Sequence, residues 1–200
     1  MADKNIFGKN VIIERNSIIG YCNITGHYYD QKRDLDTPNG VTIGNDVLIR
    51  TGVTVYSGAS IGSNCWINHG AIIRENVKIG NNCSIGCYTI IEDGVKIGNN
   101  VVIHNHCQIP KGVTIKDDVF IGPRTVIANS SKIAHRRDIP EVINPVLLDT
   151  KCAIGAGVTI SAGITIGKNS IVGSGAVVVK DVEPDCTVVG NPAHIINRLK

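Results

Sequence analysis

Residues 79–103 read IGNNCSIGCYTIIEDGVKIGNNVVI, and every sixth position, Ile79, Ile85, Ile91, Ile97 and Ile103, is isoleucine. The frame extends back through Ile73, Ile67, Ile61, Val55 and Ile49 to Ile43, and forward through Ile109, Ile115 and Ile121 to Ile127, fifteen aliphatic positions in a row. In a chain that is 42% hydrophobic, chance gives such a run with a probability of about 10⁻⁶, so the period is the first fact to explain. A second small or β-branched residue follows each by four, as at Val53, Ala59, Cys65, Val77, Cys83, Val101 and Cys107. Between them stand Gly, Asn, Asp and Lys, which suit tight corners and left-handed backbone.

A period of six matches neither the 3.5 nor the 3.6 of a helix, and Gly and Asn recur where a helix would break. A flat sheet is excluded because the turns come too often. The pattern predicts a solenoid in which three hexads close one triangular coil of eighteen residues and successive coils stack about 4.8 Å apart. The frame is weaker at Phe7, Ile13 and Ile19, and resumes at Leu148, Ile154, Ile160, Ile166, Val172 and Val178. Two inserts interrupt it, at about 25–36 and about 130–147. The expected fold is all-β, about eight triangular coils forming one domain over residues 1–190, with a short helical tail over 191–200.

Composition agrees. Of 200 residues 22 are Gly, while aromatics make only 4%, so the core must be built from Ile and Val. A net charge of +3 is mild, and the Lys and Arg are scattered without interleaved aromatics, which argues against nucleic acid as a partner. No apolar run approaches the roughly 18 residues of a membrane span, and MADKNIFGKN lacks a signal-peptide core, so a soluble cytoplasmic protein without a membrane partner is expected. Seven Cys, with no Cys-x-x-Cys pair, suggest small core residues in a reducing compartment.

Hexads such as IGNDVL, IGNNCS, IGNNVV and IGAGVT resemble the hexapeptide-repeat acyltransferases. That resemblance implies a left-handed parallel β-helix, a handedness that the general preference for right-handed crossovers would not supply. It also implies acetyl-CoA as the acyl donor, a homotrimer with each site between two prisms, and no metal. CAIGAGVTISAGITIGKNSIVGSGAVVVKDVEPDCTVVGNPAHII is similar to the C-terminal coils of such enzymes, where small residues let the pantetheine arm approach the backbone. Matched by position, Ala156, Ser174, Val179 and Lys180 fall where the family contacts the coenzyme. His194 stands where the galactoside and maltose acetyltransferases carry Arg.

A flat-sided prism has no pocket of its own, so a site must form where something projects from it. The stretch IANSSKIAHRRDIPEVINP, residues 127–145, holds the densest polar cluster of the chain, including Asn129, Ser130, Lys132, His135, Arg136 and Asp138. The preceding KDDVFIGPRTVIAN is similar to N-acetyltransferases of nucleotide-linked amino sugars, in which the Asn, here Asn129, faces the acceptor amine. In O-acetyltransferases a catalytic His followed by Pro comes a few residues later; here His135 is later still and has no Pro after it. An alcohol needs a base to attack a thioester, whereas an amine is nucleophilic once deprotonated, so an amide that positions it suffices.

The other imidazoles are His69 in INHGAI and His104 and His106 in IHNHCQ, with Asn105 thirty-six residues after His69. The period places all of them on one edge, His69 two coils from the others. His106 is a candidate base; His69, His104 and Asn105 are candidates for acceptor binding, or solvated corner residues. Three imidazoles also resemble the γ-class carbonic anhydrases, which bind zinc with three His, but the Arg, Asp and Gln pattern of that family is absent. In GHYYDQKRDLD, Tyr29 could stack on a nucleotide base with Arg33 near a diphosphate, or the segment is a solvated hairpin. The leading expectation is an acetyl-CoA-dependent N-acetyltransferase of a nucleotide-linked amino sugar for surface-glycan synthesis. The alternatives are an O-acetyltransferase with a His base and a non-enzymatic scaffold.

Overall fold

Each hexad becomes a two-residue strand and a corner in the computed structural model, which describes residues 4–21, 40–130 and 142–198. Strands of the uninterrupted repeat pair in parallel with the strand eighteen residues away, as Lys78 with Ser60 and Lys96, and Ser84 with Trp66 and Val102. Three sheets result, of eight, ten and eight strands. Consecutive strands go to the first, second and third sheet in turn, so the chain winds as a parallel β-solenoid of about eight turns, consistent with the expected left-handed β-helix. No helix occurs among the described residues.

The interior repeats the sequence frame. Ile43, Ile49, Ile67, Ile73, Ile85, Ile91, Ile103 and Ile109 are fully buried, and stacked register gives each an equivalent neighbour above and below. Burying such a side chain contributes about 1.5–3 kcal/mol. Cys65, Cys83, Cys107, Cys152 and Cys186 are buried free thiols, as their places in the frame predict. Burial raises the Cys107 thiol, and burial, then the nearby Asp149 charge, pushes Cys152 up to about 12. The Cys83 thiol is raised by its hydrogen bond with Cys65 and then by burial. Cys83, Cys107 and Cys152 are therefore packing residues, poor nucleophiles at neutral pH.

The three sheets meet at three edges. Edge one joins the first sheet to the second, and its left-handed position is filled by Asp46, Asn64, Asn82, Asn100, Asp118, Lys151 and Asn169. Its side chains form a ladder: Asn99 Oδ1 accepts from the Asn81 backbone N–H at 2.9 Å, and Asp117 Oδ1 accepts from that of Asn99 at 2.6 Å. Beside it, Asn82 donates to Asn100 at 3.0 Å and Asn100 to Asp118 at 2.9 Å. Edge two joins the second sheet to the third, and edge three joins the third back to the first.

Both interruptions of the repeat leave from edge three. The chain departs after the strand Ile18–Tyr21 and returns at Gly40, so that Ile6 pairs with Thr42. It departs again after Val126–Ile127 and returns at Val146, so that Thr114 pairs with Leu147. The base of the second excursion is clamped by an antiparallel bridge between Ser130 and Ile143 and by the Asn144 N–H donating to the Asn129 carbonyl at 2.7 Å. The regular frame thus resumes in register, with Leu148 opposite Ile115.

The tail corrects an expectation. His194–Arg198 is a strand, not a helix, and runs antiparallel to Cys186–Val189 at the end of the second sheet. The reason is local: Gly190, at φ 96°, begins a reversal through Pro192, and the chain returns along the otherwise unpaired edge of Cys186–Val189. The β-branched pair Ile195–Ile196 suits a strand better than a helix end.

Candidate functional site

Edge two carries most of the candidate residues. His69, His104, Asn105 and His106 all lie on it, as do Ala156 and Ser174, so the eighteen-residue phase aligns the candidate acceptor and donor residues in one column. Two buried hydroxyls brace this edge from inside. Thr89 Oγ1 donates to the His104 carbonyl at 2.8 Å and accepts from the Cys107 N–H at 3.1 Å. Thr125 Oγ1 lies 2.9 Å from the Gly122 carbonyl and 3.3 Å from that of Gly155. The Asn105 side chain is held as well, its Oδ1 accepting from the Cys87 N–H at 2.8 Å. His104 and His106, on either side of it, rest on aromatic rings of opposite neighbours: His104 edge-on to Phe120 and His106 stacked on Tyr88, each at 5.4 Å.

Along this edge the left-handed position is Gly52, Gly70, Tyr88, His106, Arg124, Gly157 and Gly175. Glycine is the unstrained choice there, and a bulky side chain costs about 1 kcal/mol or more. Three successive coils accept that cost and raise a ridge of phenol, imidazole and guanidinium. The Tyr88 ring lies over Gly70, where a Cβ would come within 2.6 Å of it. Sequence reasoning passed over Tyr88 and Arg124; the signal was available, since both occupy the phase at which other coils place glycine.

The C-terminal stretch of edge two is bare. Gly155, Ala156 and Gly157 stack below Gly173, Ser174 and Gly175, with the Ala156 N–H donating to Ser174 Oγ at 3.1 Å. A Cβ added at Gly157 or Gly175 would meet nothing within 4 Å. This is an open strip of small residues where an extended, narrow chain can lie against the backbone. His194 lies near the end of the strip: its strand pairs with Val189, whose side chain fills the space a Cβ on Gly173 would need. Val179 and Lys180 are elsewhere, on edge three at the far end of the strand Val177–Val178. Both are exposed.

Asn129 also lies on edge three, above Lys111, whose carbonyl is 3.5 Å from the Asn129 Nδ2. One side of the triangle is about six residues of extended chain, up to about 20 Å. Asn129 and the His106 edge are therefore too far apart for one ligand atom to touch both within a single prism. His135, Tyr29 and Arg33 lie outside the described residues. Among the described residues, no group of three His, Cys, Asp or Glu side chains is placed to hold a metal ion. Nor is any helix among them long and apolar enough to cross a membrane.

Known proteins agree with this architecture. The family described as bacterial transferase hexapeptide (six repeats) matches residues 58–93, 76–111 and 94–129, and the hexapeptide repeat of succinyl-transferase matches residues 146–180. Together they span more than half of the chain, which belongs to the hexapeptide-repeat acyltransferases. Among solved structures, a hexapeptide-repeat acetyltransferase from Vibrio cholerae O1 biovar eltor, complexed with acetyl coenzyme A, is 30% identical. The match covers 69% of this chain and 71% of that one, with a TM-score of 0.43. A galactoside acetyltransferase in complex with coenzyme A is 25% identical over 69% of this chain and 66% of its own, with a TM-score of 0.51. A mutant N-acyltransferase from Bacillus cereus, in complex with dTDP and coenzyme A, is 19% identical over 97% of this chain and 83% of its own, with a TM-score of 0.45. No curated protein matches the chain.

Proposed function

We propose that the chain is an acetyl-CoA-dependent N-acetyltransferase whose acceptor is a nucleotide-linked amino sugar of surface-glycan synthesis. The observation that carries the reading is Asn129, an amide fixed at the root of the second excursion by backbone and side-chain hydrogen bonds. Bound acetyl-CoA supplies the activated acetyl group; a C–N bond forms, the C–S bond breaks, and one proton passes from the nitrogen to the departing thiolate. The chain's part is to position. The Asn129 amide oxygen accepts a hydrogen bond from the neutral amine and orients its lone pair. The small residues of edge two admit the donor arm, and a corner N–H can stabilise the negative charge that develops on the thioester oxygen. Lys180, exposed on edge three, offers its cation to coenzyme phosphates held on the edge-two strip of a neighbouring prism.

The distance between edges implies a second copy. Asn129 and edge two act on one acceptor only where edge three of one prism faces edge two of another. A ring of three parallel prisms, with the site between neighbours, satisfies that requirement and covers exposed apolar groups such as Trp66 and Phe120.

The test is to incubate purified protein with acetyl-CoA and a panel of nucleotide amino sugars and to follow free thiol release. Turnover is expected with an amino sugar and not with its hydroxyl analogue. Asn129→Ala should lower kcat/KM for the acceptor by about 1–3 kcal/mol; unchanged kinetics remove Asn129 from the site. A second reading, O-acetylation with His106 or His69 as base, is favoured by the exposed imidazoles of edge two and the likeness to a galactoside acetyltransferase. Near-complete loss of turnover on replacing one His, with a hydroxyl acceptor, establishes that reading instead.

A further inference from the structure

The ridge on edge two has an order that matches a ligand. From the N-terminal side it presents Tyr88, His106 and Arg124 in adjacent coils, and then the bare strip at Gly157 and Gly175. Tyr88 is 60% exposed despite its contacts with Gly70 and His106. Arg124 is exposed and makes no ion pair among the described residues. At strand spacing, Tyr88 and Arg124 stand about 10 Å apart along the axis. A nucleotide sugar has the same sequence of parts: an aromatic base, then a diphosphate, then the sugar.

We propose that the Tyr88–His106–Arg124 ridge is the specificity-determining surface for the nucleoside diphosphate of the acceptor, with the base against Tyr88 and the diphosphate between His106 and Arg124. Aromatic contact suits any base, and a guanidinium meets phosphate oxygens two at a time. In this direction the sugar beyond the diphosphate arrives at the start of the bare strip, where the donor arm lies. It also arrives at the height of Asn129, which belongs to the same coil as Arg124 and reaches the acceptor from the neighbouring prism. This assignment rests on the reading of the chain as an enzyme of nucleotide sugars. It adds which residues recognise the nucleotide, and it accounts for three side chains standing where glycine fits better.

The experiment is calorimetric titration of the full chain with UDP, dTDP, GDP and CDP, without acetyl-CoA. At least one should bind the unaltered protein. Tyr88→Asn and Arg124→Asn should each weaken that binding about tenfold or more, because Asn tolerates the left-handed backbone while removing the ring or the charge. Thermal melting checks that both variants fold. Arg124→Lys, which keeps charge but not the fork, should fall between. Only Arg124→Asn, which removes the charge, should lessen the salt dependence of binding. The proposal is overturned if none of the four nucleotides binds the unaltered protein, or if both Asn variants bind like it. Should nucleotides bind through the ridge while no nucleotide amino sugar is acetylated, the ridge assignment stands and the acceptor assignment fails.

Discussion

Edges one and two use the same left-handed turn for opposite ends. On edge one the turn is filled by Asn and Asp, which adopt that backbone readily, except at Lys151, and the neighbouring side chains bond to one another. Its polar groups are consumed internally, and the edge closes on itself. On edge two the turn is filled by Gly where the surface is bare, and by Tyr88, His106 and Arg124 where it is decorated. Those side chains turn outward. On the proposed assignment, a repeat with one backbone separates its structural and functional duties by edge, and the three successive bulky residues at positive φ stand on the edge assigned to ligand.

The comparison can be broken at three depths. The strand Val102–Ile103 feeds edge two and follows edge one, so Ile103→Ala should weaken both together. Its side chain is almost fully buried, and removing it should cost about 2–5 kcal/mol in denaturant unfolding. A loss confined to one edge by hydrogen exchange would show that the edges fold independently. Next is Asn99→Ala, which deletes one rung of the edge-one ladder and should cost about 1 kcal/mol while acetyl transfer stays unchanged. A drop in turnover would remove the structural assignment of that edge.

The smallest effect is pH-dependent. Asp149, also on edge one, is held below its ordinary value of 3.8 by the Thr150 backbone N–H and then by Lys116. A lowered folded-state value means that ionised Asp149 stabilises the protein above the unfolded value, and that this contribution is lost as pH falls through the folded one. Asp149→Asn should therefore melt slightly lower at pH 7, by no more than about 1 kcal/mol for so exposed a pair. The difference should begin to shrink as pH falls below 3.8 and vanish only below the lowered folded value; a gap that persists in stronger acid would mean that shape, not charge, matters.

The core was legible because each two-residue strand leaves one inward position, filled by Ile, Val or Leu, and a second small residue is buried four places on. Leu148 and Val172 were placed correctly across the break because the frame resumes in register with Ile115 and Ile154. The tail misled because Ile195–Ile196 lies beyond the period, and what makes it a strand is the open edge of Cys186–Val189, a partner that no local window contains. The site was half legible. The eighteen-residue phase gathers His69, Asn105, Ala156 and Ser174 on one edge, and it places Asn129 on another. Tyr88 escaped because the reading followed the inward frame, although the glycines at its phase, Gly52 and Gly70, mark that corner as left-handed.

The uniform stacking of coils has a last consequence. Since each turn adds one strand spacing and nothing less, the distance from the ridge to the bare strip is graduated in whole rungs, and edge two works as a ruler. Inserting a complete coil between the adjacent turns that carry Arg124 and Gly157 would re-form the same pattern of hydrogen bonds and yet change, by a single fixed increment, the length of molecule that the proposed site would measure.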